Sequence, residues 1–125
     1  MDVSVIFATH NREDVLERVF DAWRITDRAT KYKYEIICSD DSSTDRTVSI
    51  IQSVQDLPVK LLRNQKGGAG KARNAALKIA AGKLIIFTGD DIFPSENFVN
   101  RHFENYLKYG NYIATLGRID WQEGE

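Results

Sequence analysis

The sequence is poor in cysteine, methionine and proline, with one, one and two of them in 125 residues. A lone Cys38 excludes an internal disulfide and any zinc site built on several cysteines, and it fits a reducing compartment. No apolar run approaches the roughly 20 residues that a membrane-spanning helix needs. The start, Met1-Asp2-Val3-Ser4, has neither the basic nor the apolar region of a secretory signal, so the expected location is cytoplasmic. An excess of charge is missing too: 17 Lys and Arg stand against 18 Asp and Glu, a formal net charge of −1. A general nucleic-acid binder needs a strong basic excess, so no nucleic-acid partner is expected. What is present is globular. At 42% hydrophobic and 28% charged residues, disordered, collagen-like and coiled-coil chains are poor readings. The length suits one domain with a real core.

The neutral balance conceals an uneven distribution. Residues 57–89 contain no acid and 7 bases: Lys60, Arg63, Lys66, Lys71, Arg73, Lys78 and Lys83. Residues 1–56 and 90–125 are both net acidic. A solvated basic helix face would account for the window, and so would a bound anion flanked by acidic loops.

Val3 to Ala8 is a short apolar, β-branched run and reads as a strand. From Arg12, apolar residues at Val15, Leu16, Val19, Phe20 and Trp23 mark one helical face, with Asn11 as a suitable N-cap. Tyr34 to Ser39 reads as a second strand, followed by a polar loop, Asp40-Asp41-Ser42-Ser43-Thr44-Asp45, and a helix over about 45–53. Val59 to Leu62 is a third strand. Lys66-Gly67-Gly68-Ala69-Gly70 is a flexible loop before a helix over 72–81, with Gly82 as C-cap. Leu84 to Thr88 reads as a fourth, fully buried strand. A helix from near Pro94 to about Tyr109 and a fifth strand over 111–116 complete the pattern. Strands alternating with helices imply an α/β fold, a mainly parallel sheet with helices on both faces. Ligands of such sheets bind beyond the carboxyl ends of the strands. Thr9-His10-Asn11, Asp40-Asp41, the glycine loop and Gly89-Asp90-Asp91 all fall at that edge.

Asp90-Asp91 follows an apolar strand directly. Two adjacent carboxylates repel and call for a compensating cation; Mg²⁺ or Mn²⁺ takes hard oxygen ligands and keeps positions open for phosphates. One Asp capping the next helix is the plainer alternative. Asp40-Asp41 is open to the same two readings, with Ser42, Ser43 or Thr44 as caps, and a carboxylate can also accept the N–H of a uracil-type base. The glycine loop is not a P-loop, because Gln65 and Ala72 stand where Gly and Ser or Thr are needed. Nor is it a dinucleotide fingerprint, because Arg73 takes the third glycine position. A helix N-terminus with Lys71 and Arg73 suits a phosphate or ribose; a plain surface loop is the alternative. A response-regulator receiver would need an Asp after the third strand, where Arg63 and Asn64 stand.

Taken in order, four stretches carry a resemblance: Val3 to Arg12, Glu35 to Asp45, Gly70 to Ala76, and Ala81 to Pro94. The chain resembles the N-terminal, nucleotide-binding half of a family-2 glycosyltransferase of the GT-A fold. The resemblance implies a Rossmann-like donor domain over 1–125 that binds a nucleotide-diphosphate sugar, UDP- or GDP-linked. Thr9 and His10 match the segment that holds the base, with His10 where the family usually has Tyr. Asp40 matches the acid that recognises the base, and Arg73 a basic residue near the nucleotide, with Lys71 beside it. Asp90 and Asp91 match the end of the Asp-X-Asp motif, which binds ribose and a divalent metal, Mg²⁺ or Mn²⁺; Asp91 is the implied direct ligand.

Gly89 stands where the first Asp of that motif belongs, and Ala8 where Pro is common. Family members continue into an acceptor-binding half that supplies the catalytic base. No residue here matches that base, so the chain is expected to be a donor half that is inactive alone. The implied acceptor is a hydroxyl of a glycan or of a lipid-linked acceptor, reached in a longer protein in the cytoplasm or at the inner face of the membrane. A non-catalytic nucleotide-binding module working with a partner chain fits the same residues.

Overall fold

Two strands of this chain are buried almost end to end, and the fold is arranged around them. The computed structural model describes residues 1–110. Its elements are β1 (Val3–Thr9), α1 (Leu16–Ala29), β2 (Tyr34–Asp41), α2 (Thr47–Ser53), β3 (Val59–Asn64), α3 (Ala69–Ile79), β4 (Leu84–Phe87) and α4 (Phe98–Tyr109). The strands form one parallel sheet in the order β3-β2-β1-β4. β1 and β2 are central, covered on both faces, and accordingly lack the alternation of a half-exposed strand.

The chain walks outward from β1 through β2 to β3, then returns to place β4 on the other side of β1. The order therefore reverses between β1 and β4, where open α/β sheets form a crevice at their carboxyl ends. On one face, Val5, Phe7, Ile36 and Cys38 pack against α1, α2 and α4. On the other, Ile6 and Ile37 pack against Ala76 of α3. Small residues on α3, Ala72 and Ala76, let it lie close to the sheet; the Ser39 hydroxyl donates to the Ala72 carbonyl at 2.7 Å.

Trp23 joins three elements on the larger face. Its ring stacks on Tyr34 of β2 at 6.2 Å and meets Phe98 of α4 edge-on at 5.6 Å. The end of α1 is held by buried Asn100 of α4, which donates to the Ala29 carbonyl at 2.7 Å and accepts the Lys31 N–H at 2.9 Å. Buried polar groups are tolerated when paired in this way.

Several boundaries differ from the sequence pattern. α1 starts at Leu16 rather than near Arg12, because Asn11 adopts φ +49° and the Val15 and Leu16 N–H groups both turn back to the Arg12 carbonyl. α3 begins earlier than expected, at Ala69. β4 is not fully buried: it is an outer strand among the described residues, and Phe87 is 53% exposed. Gly82 is not a helix C-cap, since α3 ends at Ile79 with Ala80 as cap. It is a close-approach glycine instead. A Cβ there would lie 2.4 Å from the Ser4 nitrogen. The expected fifth strand lies outside the described residues.

Beneath Gly82 sits a buried carboxylate. Glu35 is 1% exposed. Its Oε1 accepts from the Ser4 hydroxyl at 2.6 Å and from the Ala81 N–H at 2.9 Å, and its Oε2 lies 2.6 Å from the Lys60 Nζ. Burial pushes the Glu35 carboxyl up, but the Ala81 N–H, Lys60 and Ser4 together hold it below the usual value. The cluster ties α3 and the start of β4 to the amino ends of β1, β2 and β3, opposite the crevice.

Two predictions follow from this end of the sheet. Gly82→Ala should lower the unfolding free energy by about 1–3 kcal/mol, the usual range for forced overpacking; a denaturant midpoint equal to that of the parent would count against the close approach. Because the folded-state pKa of Glu35 is depressed, its contribution is present above about pH 4.3 and is lost as pH falls through the folded value. The stability gap between the parent and Glu35→Gln should therefore shrink between pH 6 and pH 2, measured by urea unfolding. A gap constant with pH would refute the assignment.

Candidate functional site

Four loops leave the carboxyl ends of the four strands, and hydrogen bonds connect them side to side. The first two exchange donors and acceptors. The Asn11 side-chain oxygen accepts from the Thr44 N–H at 2.8 Å and the Asp45 N–H at 3.3 Å. In return, the Asp45 carboxylate accepts the Glu13 N–H at 3.2 Å and its own loop's Thr47 N–H at 2.8 Å. The Arg12 N–H donates to the Thr47 hydroxyl at 2.8 Å, and the Asn11 N–H to the Ser43 hydroxyl at 2.9 Å. Side chains of one loop thus satisfy backbone groups of the other that helix starts leave open. Burial works against the Asp45 carboxylate, but the donors from Thr47 and the Glu13 N–H hold its pKa below the usual value.

The next seam joins β2 to the glycine loop. The two oxygens of Asp41 accept the Gly67 N–H at 2.9 Å and the Gly68 N–H at 3.1 Å. Gly68 can take part because it adopts φ +93°, a region open to glycine. The Asn64 amide donates to the Asp40 carbonyl and the Ser39 hydroxyl, both at 2.9 Å. The last seam crosses the point where strand order reverses: Arg12 Nε donates to Asp90 Oδ2 at 3.2 Å.

Within this belt, Thr9 and Asp40 are cross-strand neighbours on adjacent strands, and both are buried. The Thr9 hydroxyl has no hydrogen-bond partner among the described residues. Asp40 closes its own loop, accepting the Ser43 N–H at 3.0 Å and the Ser43 hydroxyl at 2.5 Å. His10 is exposed, with Nδ1 2.6 Å from the Asp41 carbonyl and Nε2 3.3 Å from the Asn11 amide nitrogen. A carbonyl only accepts, so Nδ1 is the donor in the contact with Asp41. Asp90 is largely buried and paired with Arg12, whereas Asp91 is exposed.

Lys71 and Arg73 lie exposed on the first turns of α3. Among the described residues they make no hydrogen bond or ion pair with the acidic residues of the belt. The Lys71 stem lies over Gly67, where a Cβ would come 2.8 Å from its Cδ.

Four contributors did not emerge from sequence reasoning: Asn11 as a cap for the neighbouring loop, Arg12, Asp41 as the anchor of the glycine loop, and Asp45. Local spacing carries a trace of Asn11 and Asp45, since both are capping residue types. The partnership of Arg12 with Asp90, 78 positions apart, leaves no local signature.

The donor set bears on metal binding. Among the described residues no group of three or more His, Cys, Asp and Glu side chains is placed to enclose an ion. Mg²⁺-like ions are commonly held by one or two carboxylates with water and phosphate oxygens completing the shell. Asp90 and Asp91 supply that much.

Comparison with known proteins gives a consistent result. The profile of the family described as glycosyl transferase family 2 matches residues 4–125. A poly(ribitol-phosphate) beta-glucosyltransferase of Bacillus spizizenii is 31% identical over 123 residues, which is 95% of this chain and 19% of that protein. The crystal structure of Staphylococcus aureus TarS 1-349 in complex with UDP-GlcNAc superposes with a TM-score of 0.76 at 26% identity, covering 87% of this chain and 32% of the other. The mannosyltransferase PcManGT of Pyrobaculum calidifontis, in complex with GDP-Man and Mn²⁺, gives a TM-score of 0.63 at 27% identity over 76% of this chain and 29% of the other. The chain thus spans about a fifth to a third of the length of these proteins.

The loop exchange makes a prediction of its own. Asn11→Ala removes an acceptor shared by two backbone donors and leaves a β-carbon at positive φ, so it should cost about 1–3 kcal/mol. Asn11→Gly should cost less, and Asn11→Asp, which keeps an acceptor oxygen, least. In Asn11→Ala, amide exchange at Thr44 and Asp45 should accelerate before that of the sheet; unchanged exchange there would contradict the cap.

Proposed function

The chain belongs to glycosyl transferase family 2, and from that membership we propose that it binds a nucleotide-diphosphate sugar together with a divalent metal, for transfer of the sugar to an acceptor hydroxyl. The observation that carries the reading is what gathers at the carboxyl end of the sheet where strand order reverses, between β1 and β4. A carboxylate pair, Asp90 and Asp91, stands there beside the Arg12 guanidinium, within a belt of loops already hydrogen-bonded to one another. Carboxylates and cations set together at such a crevice suit a ligand that brings both phosphate and metal.

In this reading the base lies along the β1 and β2 loops. Thr9 offers an unsatisfied hydroxyl, His10 an exposed ring, and Asp40 and Asp41 the local carboxylates. Asp40 is closed by Ser43, so a base would have to share an oxygen that already accepts a hydrogen bond. Arg12 is the cation nearest the carboxylate pair; Lys71 and Arg73 add positive charge from α3 and favour an anionic leaving group. A divalent ion, Mg²⁺ or Mn²⁺, held by Asp91 with Asp90, would act as a Lewis acid that offsets charge on the departing diphosphate. The GDP-Man and Mn²⁺ complex of PcManGT and the UDP-GlcNAc complex of TarS support a nucleotide sugar, and in the former a metal, at this kind of site. The acceptor proposed is a glycan or a lipid-linked hydroxyl; the poly(ribitol-phosphate) relative favours a polymer.

Calorimetric titration with UDP, GDP, CDP and TDP, each with and without Mn²⁺, tests this. One of UDP or GDP should bind, about tenfold more tightly with Mn²⁺, a difference of about 1.4 kcal/mol. Asp91→Asn should abolish the metal enhancement while metal-free affinity stays within about threefold. If none of the four nucleotides binds even with metal, the proposal falls.

A further inference from the structure

We propose that Arg12 is the resident counter-cation of the Asp90-Asp91 pair, exchanged for metal when the nucleotide diphosphate arrives, so that metal and nucleotide bind as a unit. The inference rests on the nucleotide-sugar reading above and adds to it a residue that sets the order of binding.

Three observations converge on it. First, Arg12 and Asp90 come from loops on opposite sides of the strand-order reversal, and their contact is the seam that closes the crevice. Second, the two partners are unequal. The Asp90 side chain is 12% exposed and that of Arg12 is 44% exposed. The carboxylate is therefore the more enclosed partner, while the guanidinium reaches it from solvent. Third, the Arg12 backbone is fixed on both sides. Its N–H donates to Thr47 and its carbonyl accepts from Val15 and Leu16. The side chain can leave Asp90 without disturbing the loop.

The contact is monodentate, through Nε at 3.2 Å. A bidentate fork would be stronger and harder to exchange. An arginine in this position has two effects of opposite sign. While it neutralises Asp90, the pair offers a divalent ion little more than the charge of Asp91, so metal alone binds weakly. With phosphate oxygens adding ligands and negative charge, Asp90 together with Asp91 would hold the ion, and Arg12, released from Asp90, would offer its guanidinium to the diphosphate. The formal charge of the three side chains is −1, and a divalent ion arriving with a dianionic diphosphate leaves that total unchanged, so neither ion needs to enter alone. Gly89, which has no side chain, adds no further carboxylate to the set.

The test uses the 125-residue chain and Mn²⁺ alone, read from the electron paramagnetic resonance signal of free aqueous Mn²⁺, with folding checked by circular dichroism. Arg12→Gln should tighten Mn²⁺ binding about tenfold, the order expected when a unit positive charge a few ångströms away is removed. Arg12→Lys, which keeps the charge, should stay within about threefold of the parent. In an Asp90→Asn background, adding Arg12→Gln should change the affinity less than twofold, as a double-mutant cycle through Asp90 requires. Metal-free affinity for UDP or GDP should fall three- to tenfold in Arg12→Gln. A gain under twofold in Arg12→Gln, an equal gain in Arg12→Lys, or a gain that persists without Asp90 would each overturn the proposal. Should Arg12→Gln fail to fold, Arg12→Met, which keeps the stem, is judged by the same thresholds. Failure of every variant and the parent to bind nucleotide would defeat the nucleotide reading instead, while the metal-only cycle still decides the role of Arg12.

Discussion

The reciprocal capping between the first two loops is the constraint on which the crevice depends. Helices α1 and α2 both begin beside the sheet's carboxyl edge, and neither start has a side-chain cap of its own in the usual position. Each is served from the other loop: Asn11 reaches the residues before α2, and Asp45 reaches the turn before α1. Relaxing either loop breaks bonds of both, and the part-buried Arg12 and Glu13 donors would be left unmatched at about 1–3 kcal/mol per group. The positive φ of Asn11 is strain this exchange sustains. Thr9, His10 and Arg12 are held in place by that arrangement.

From there the order propagates outward in both directions. Asp41 extends it to the glycine loop and so to α3, and Arg12 extends it across the reversal point to the loop after β4. At the opposite end of the sheet Glu35 performs a related task, gathering Ser4, Lys60 and the Ala81 N–H beneath the turn into β4. The two ends differ in kind. The lower cluster is a buried structural joint in which Glu35 Oε2 relies on its ion pair with Lys60. The upper belt leaves exposed side chains, His10, Lys71, Arg73 and Asp91, and a buried hydroxyl, Thr9, without a partner among the described residues.

The strand-helix alternation was legible in the sequence because each element carries its own period. β1 and β2 show as short apolar stretches centred on Val5-Ile6-Phe7 and Ile36-Ile37-Cys38, and α1 as a stripe through Val19, Phe20 and Trp23. The placement of the four loops at one edge followed from that alternation alone. What local pattern could not convey was relational. Gly82 next to Ser4, Arg12 opposite Asp90, and Asp45 capping a neighbour's turn all depend on strand order. β4 looked fully buried because its composition is that of a central strand, yet it is an outer one among the described residues. For the site, residue types were informative and pairings were not. The carboxylates after β2 and β4 stood out, but the counter-cation of Asp90 is an arginine from another loop. Residues 4–125 match the family profile, in accord with the motif order rather than with any single motif.

The tie between Asp41 and the glycine turn has a consequence for ligand selection. Consecutive backbone N–H groups at a glycine-rich helix start ordinarily attract phosphate. Here the Gly67 and Gly68 donors already hold the oxygens of a carboxylate belonging to the same chain. A tethered competitor acts at an effective concentration of order millimolar or above. The two N–H groups of the turn are therefore occupied from within the chain, and a free anion reaches them only by displacing Asp41.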